Sequence, residues 1–396
     1  MKSLSSFVFH LITGQFRKAF ETVSHLRLGT KLAFLGIGVG SYALQQYPDV
    51  ILFYVERGYY IANLAVQPKS NAIPLSTGAK KSLSDLIRTL QYDLSVEMRR
   101  RNLGISAGYN SWAIAQMAVA LDDASPVPTS EVRETYEKTL DETCGCWRET
   151  PQAQPHTGAT GWVVFSMSEF GMHTPARILE FMLAMQSPDG WWPLYPAKRE
   201  PSNASTYATD WAALSLCTQL PLQKKYAQDN AVIARMSFAI ENAVNWLAKN
   251  EVVQAARWVD YPANTSSMRS ISISGLTIHV LNQCGYTEGL TALHQRWLDA
   301  MPFEVTSASM TEASNADIFL SQGLEFDRTR HYVLQWALIA TVDAYASGNL
   351  AQRAAAVQWI ERMLKPTLLG PEVRSQRWVA AELLFALGYL QAHIVR

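Results

Sequence analysis

The sequence predicts an all-α protein, an (α/α)6 toroid of six helical hairpins preceded by an N-terminal hydrophobic helical segment. Three observations lead there: helical apolar patterns arrive in pairs from about residue 80, strand-period alternation is missing from that span, and the loops between helices repeat. Six pairs is a number that closes a ring rather than leaving an open solenoid.

The chain has 396 residues, 48% of them hydrophobic and 17% charged, fewer charges than the roughly 25% of an average soluble domain. That balance suits a large core or contact with lipid. Lys plus Arg equals Asp plus Glu at 34 each, so no global field favours nucleic acid as a partner. Four cysteines in so long a chain do not make a disulfide framework, and they leave the redox compartment open.

Residues 1–70 read as a separate region. Lys2, Arg17, Lys18, Arg27 and Lys31 face the single acid Glu21 over residues 1–31, and Phe16, Phe20 and Val23 share one helical face. The uncharged run LAFLGIGVGSYALQQYP, residues 32–48, follows, and VILFYV comes after Asp49. About 20 apolar residues span a bilayer, so a single membrane anchor with a cytoplasmic N-terminus is the first expectation. An in-plane interfacial helix and a buried helix of a soluble cytoplasmic protein are the alternatives. Gly36, Gly38 and Gly40 lack the preceding strand and the acid of a dinucleotide site, and read as small residues in an apolar helix.

Residues 71–396 form the second region. The six pairs begin with SLSDLIRTLQYDLS and SWAIAQMAVALDD, and continue with SEVRETYEKTLDE and TGATGWVVFSMSEFGM, then ARILEFMLAMQ and STYATDWAALSLCTQL. The fourth joins SFAIENAVNWLAKNE to SISGLTIHVLNQCG, the fifth EGLTALHQRWLDAM to RHYVLQWALIATVDAYA, and the last LAQRAAAVQWIERML to RWVAAELLFALGYLQAH. The second member of each pair is poor in charge and rich in small residues, as an inner helix packed on all sides should be. Trp147, Trp192 and Trp258 each start a loop with Thr or Tyr three residues on and then Pro, while Thr157-Gly-Ala-Thr-Gly-Trp162 matches Thr206-Tyr-Ala-Thr-Asp-Trp211.

The third pair carries Gln186, then Asp189-Gly190-Trp191, then a Ser/Thr-rich start of an inner helix. This order resembles the Q and W repeats of the terpenoid cyclase and protein prenyltransferase superfamily, whose fold is an (α/α)6 toroid. The resemblance implies that Gln186 and Trp191 tie neighbouring hairpins together. The superfamily's chemistry has no counterpart here: Asp-x-Asp-Asp is missing, with Asp122-Asp123 the nearest pair. The one group suited to zinc, Cys144, Cys146 and His156, does not sit where prenyltransferase ligands do, so neither a metal nor a cofactor is expected.

Candidate site residues gather where the inner helices begin. His156, Asp210 and His331 are the candidates for acid–base catalysis, and Tyr109, Trp192, Tyr207, Arg328, Arg330, Tyr332, Arg374 and Arg377 for ligand binding. Helix N-termini attract anions and arginines reinforce this, so the expected partner is an anionic or aromatic-stacking ligand or another protein. A rim of caps and ion pairs, with Glu325 and Asp327 facing the arginines, is the plainer reading of the same residues. His279 reads as a satisfied core histidine. The resulting expectation is a membrane-associated binding toroid without the superfamily's usual catalysis; the alternative is an enzyme of terpenoid-cyclase-like or glycan-processing type using the two histidines and Asp210.

Overall fold

Helical periodicity becomes twelve α-helices among the described residues of 69–396 in the computed structural model, which describes residues 56–62, 64–65, 72–100, 111–121, 127–148, 153–226, 229–252, 256–264, 269–300, 311–313, 330–332, 334–365 and 377–394. The chain divides into two units, residues 1–68 and 69–396. In the first, residues 56–62 and 64–65 are helical and Tyr59 is exposed. Among the described residues no helix is long and apolar enough to cross a membrane; the anchor expected at residues 32–55 lies outside them.

The second unit is predominantly helical. Its helices are α1 (Thr77–Arg100), α2 (Ser111–Leu121), α3 (Thr129–Thr139), α4 (Thr157–Glu169), α5 (Ala176–Met185) and α6 (Thr206–Tyr226). They continue as α7 (Asn230–Lys249), α8 (Ile271–Gln283), α9 (Leu290–Ala300), α10 (Leu334–Ser347), α11 (Leu350–Met363) and α12 (Arg377–Ala392). The even-numbered helices carry the low-charge patterns and are buried nearly all round: every residue of α4 from Thr157 to Met167 is buried, and so is every residue of α10 from Leu334 to Tyr345. Among the odd-numbered helices α7 buries one stripe, from Val232 through Met236, Ala239 and Ala243 to Leu247, at the spacing of a one-sided helix, whereas α11 is buried without a break from Ala354 to Ile360.

Packing follows the same division. α2 lies against α4, α4 against α6, α6 against α8, α8 against α10, α10 against α12, and α12 against α2. The odd-numbered helices lie alongside: α1 on α2 and α12, α7 on α6 and α8, α9 on α8 and α10, and α11 on α10. The ends of the unit also meet, since the Ile73 N–H donates to His393 O at 2.6 Å and the Tyr345 hydroxyl donates to Ala72 O at 2.7 Å.

Trp162 of α4 and Trp211 of α6 stack with ring centroids 3.8 Å apart. Trp336 of α10 meets them at 6.4 and 5.5 Å, while Phe385 of α12 touches Phe165 of α4 at 5.8 Å and Trp336 at 6.4 Å. Four even-numbered helices therefore contribute rings to one aromatic cluster.

Close approach of these helices needs small residues at defined points. A Cβ on Gly161 would lie 2.9 Å from the backbone of Trp211, and one on Gly275 would lie 2.6 Å from that of Trp336. Asp210 occupies the position equivalent to Gly161 in the repeat, and there α6 meets α8 through a hydrogen bond from Thr277 Oγ1 to Asp210 Oδ2, 2.8 Å.

Two features depart from the sequence reading. Three two-stranded ladders appear, β1 (Trp192–Pro193) with β2 (Ala204–Ser205), β3 (Trp258–Val259) with β4 (Arg269–Ser270), and β5 (Thr311–Ala313) with β6 (Arg330–Tyr332). They are too short to show alternation. α6 also runs past Pro221, because its last turns are held from outside: Gln219 donates to Met172 O and accepts from Thr174 N–H, and Gln223 donates to Thr174 O.

Candidate functional site

The repeated loops place the candidate residues by one scheme used three times. Each loop tryptophan donates its indole N–H to the preceding odd-numbered helix: Trp147 to Tyr136 O at 3.1 Å, Trp192 to Met182 O at 2.7 Å and Trp258 to Leu247 O at 2.8 Å. Its backbone N–H donates to a hydroxyl in the first turn of the following even-numbered helix, Thr160, Thr209 or Ser274, at 3.0, 3.0 and 2.9 Å. The first threonine of that helix reaches onward to the next loop, Thr157 Oγ1 to Pro193 O and Thr206 Oγ1 to Val259 O, both 2.7 Å. The spacing Thr-x-x-Thr-x-Trp is thus a bond to the next loop, a bond to the helix's own loop, and a ring for the central cluster.

Trp192 is fully buried in this arrangement. It is a strut, and none of its surface is left for the ligand that its rim position suggested. Trp191 is buried too, and Gln186 Nε2 donates to Gly190 O at 3.1 Å and to Ala239 O of α7 at 2.8 Å, a link between neighbouring hairpins. Gly190 has φ +102°, and a Cβ there would lie 2.3 Å from Asn242 O, so both the turn and the approach of α7 require glycine.

His156 is the N-cap of α4. Its Nδ1 accepts the Ala159 N–H at 2.9 Å, as Ser205 Oγ accepts from Ala208 N–H at 3.1 Å before α6 and Ser270 Oγ from Ile273 N–H at 3.0 Å before α8. Burial holds the imidazole neutral, with its pKa down at about 3. Tyr195 meets its ring edge-on at 5.2 Å, and the space over Gly158 is closed by His156 and Tyr207. The structure thus brings His156 and Tyr207 together. The Tyr207 backbone N–H donates to Asp260 Oδ1, which also accepts from Ser205 Oγ at 2.8 Å.

Asp210 lies apart from these two, fully buried between α6 and α8. Burial raises its pKa well above the ordinary carboxylate value, and the charge of Asp260 adds to this; its Oδ1 has no hydrogen-bond partner. Tyr109, Arg328 and Arg374 lie outside the described residues, as does Asp122-Asp123; for His331, Arg330, Tyr332 and Arg377 only the backbone is described, in β6 and at the start of α12.

Cys144 and Cys146 form a disulfide, a pairing that the sequence reading did not make and one that removes both sulfurs as zinc ligands. Among the described residues no group of three or more His, Cys, Asp and Glu is arranged to hold a metal.

Sequence reasoning read His279 as a satisfied core histidine but missed its partners, and it missed Glu382 altogether. His279 Nδ1 pairs with Asp343 Oδ2 at 2.8 Å, and the Tyr389 hydroxyl donates to Asp343 Oδ1 at 2.8 Å, so His279 is a satisfied core histidine tied to α10 and α12. Glu382 of α12 accepts from Gln116 of α2 at 3.0 Å and Gln335 of α10 at 2.9 Å, and burial lifts its pKa to about 7. No local motif marks either group, because their members come from helices far apart in sequence. A surface cavity of about 470 Å³, lined by Arg133, Tyr136, His173, Arg177 and Tyr226 among others, was also unforeseen. No protein-family model matches the chain, and no curated protein matches it.

Proposed function

We propose that residues 69–396 close into an (α/α)6 ring that serves as a binding module rather than a catalyst, held at a membrane by the N-terminal segment. The order in which the even-numbered helices pack, each on the next and α12 back on α2, supports the ring. The observation that carries the functional reading is the aromatic cluster: Trp162 and Trp336 come from helices three places apart in that order and still lie 6.4 Å apart, with Trp211 stacked between. Where a toroid enzyme of the cyclase type would keep a substrate cavity, this chain has packed tryptophan. Recognition then falls to the rim where the even-numbered helices begin. There Arg328, Arg330, Arg374 and Arg377 precede or open the last two even-numbered helices in sequence, and they favour a phosphate, a carboxylate or an anionic head group.

The test is binding of inorganic phosphate, and of vesicles with and without anionic lipid, to the full chain and to its Arg330→Ala and Arg377→Ala variants. Weaker binding by both variants, and a loss of binding as salt rises, is expected. Equal binding by all three proteins at every salt concentration removes the arginines from the site.

One observation favours the enzyme reading: Asp210 is a buried acid, its pKa raised by burial, with an unpartnered oxygen next to Trp211 of the tryptophan cluster. Asp210→Asn leaves rim binding unchanged if the module reading holds.

A further inference from the structure

Two of the four cysteines are free, Cys217 in α6 and Cys284 at the C-cap of α8. They lie 67 residues apart in sequence and on adjacent helices, and each reaches the other's backbone. Cys217 Sγ lies 3.7 Å from the carbonyl of Gln283, the residue before Cys284. Cys284 Sγ lies 3.7 Å from the carbonyl of Ala213, one turn before Cys217. Each thiol thus points across the α6–α8 contact at the backbone beside the other. The pairing belongs to a longer seam: Asp210 and Thr277, bonded across the same two helices, each precede their cysteine by seven residues, two helical turns. Cys217 is only half-buried and its sulfur lies in an exposed setting, so a small reagent can reach it.

We propose that Cys217 and Cys284 are a redox-modification site, a dithiol that low-molecular-weight disulfides oxidise to an intramolecular disulfide clamping α6 to α8. The Cys217 thiolate attacks one sulfur of the reagent disulfide; that S–S bond breaks, the second half leaves as a thiol, and a mixed disulfide remains on Cys217. Cys284 then loses its proton and attacks the Cys217 sulfur, expelling the other half as a second thiol. Two protein thiols are oxidised, one reagent disulfide is reduced to two thiols, and the two protons leave with them.

The order of attack follows from the surroundings. Burial holds the Cys284 thiol well above its ordinary pKa, so the more accessible Cys217 attacks first. The Cys144–Cys146 bridge is already oxidised and takes no part.

The test treats the native full chain with oxidised glutathione and counts thiols, measures intact mass and maps peptides. Free thiols should fall from two to none with the loss of two hydrogens, and one cross-linked peptide pair should contain Cys217 and Cys284. Cys284→Ser should stop at a single glutathione adduct on Cys217, and Cys217→Ser should react at least tenfold more slowly than the parent. Two glutathione adducts on the parent, a disulfide-linked dimer, or thiols that remain unreacted would overturn the proposal. The two serine variants also show whether either thiol reacts alone, independently of any effect on folding.

Discussion

Replacing His156 by serine, the residue type that caps α6 and α8, should make the protein less sensitive to acid. In the folded chain Nδ1 must stay unprotonated to accept the Ala159 N–H, and burial lowers the pKa to about 3; in the unfolded chain it is about 6.5. The folded pKa is the lower, so the stability tied to neutral His156 is fully present above pH 6.5 and is lost as pH falls from there towards 3. Proton linkage between these two values gives a loss of about 2 kcal/mol between pH 7 and pH 5, and of about 3 kcal/mol by pH 4. Serine restores the cap but forfeits the packing of the ring on Tyr195, an offset that does not change with pH. The assay is urea unfolding of parent and His156→Ser from pH 7 to pH 4, taking the difference at each pH so that every other titrating group cancels. The difference should shift in favour of the variant by about 2 kcal/mol by pH 5. A pH-independent difference would refute the argument and mean that His156 is protonated in the fold or holds no cap.

Glu382 carries the opposite sign. Its folded pKa of about 7 lies above its unfolded value, so ionisation costs stability as pH rises; Glu382→Gln should gain on the parent by about 2.5 kcal/mol between pH 5 and pH 8 in the same unfolding assay. Gly190→Ala adds a Cβ 2.3 Å from Asn242 O at a φ of +102° and should cost about 2 to 4 kcal/mol, seen as a lowered thermal midpoint. Trp211→Ala empties the middle of the aromatic cluster and should cost about 3 to 5 kcal/mol; a variant that melts with the parent would mean that the cluster is not a packed core. A chain of residues 69–396 should keep the parent's helical signal and a cooperative melt, because the second unit contains its own core.

The helices were legible because burial on one stripe or on all sides leaves a direct mark on local composition. The duties of Thr157, Thr160 and Trp162 were half legible: their match to Thr206, Thr209 and Trp211 signalled equivalence, while the partners they bond lie in other loops and leave no trace nearby. His156 was misleading for the same reason. A histidine before a helix suggests chemistry, and only the register with Ser205 and Ser270 reveals a cap. Trp192 and the glutamine-held Glu382 depend on contacts between distant helices, which no window along the chain contains.

The meeting of Ile73 with His393, and of Ser76 N–H with the Glu361 carboxylate at 2.6 Å, sets an order of events during synthesis. α1 leaves the ribosome among the first helices of the unit, yet the strand-like contact and the α12 face that it needs are made last. Until α12 has been made, α1 and α2 keep open the apolar surface that it covers, although the three tryptophan loops already grip the helices that follow them. The second unit cannot close this seam before α12 has been made, and the interval exposes it to aggregation or to chaperones. A stop codon before α12 would therefore leave that apolar surface of α1 and α2 uncovered, a lesion at both ends of the unit from a truncation at one.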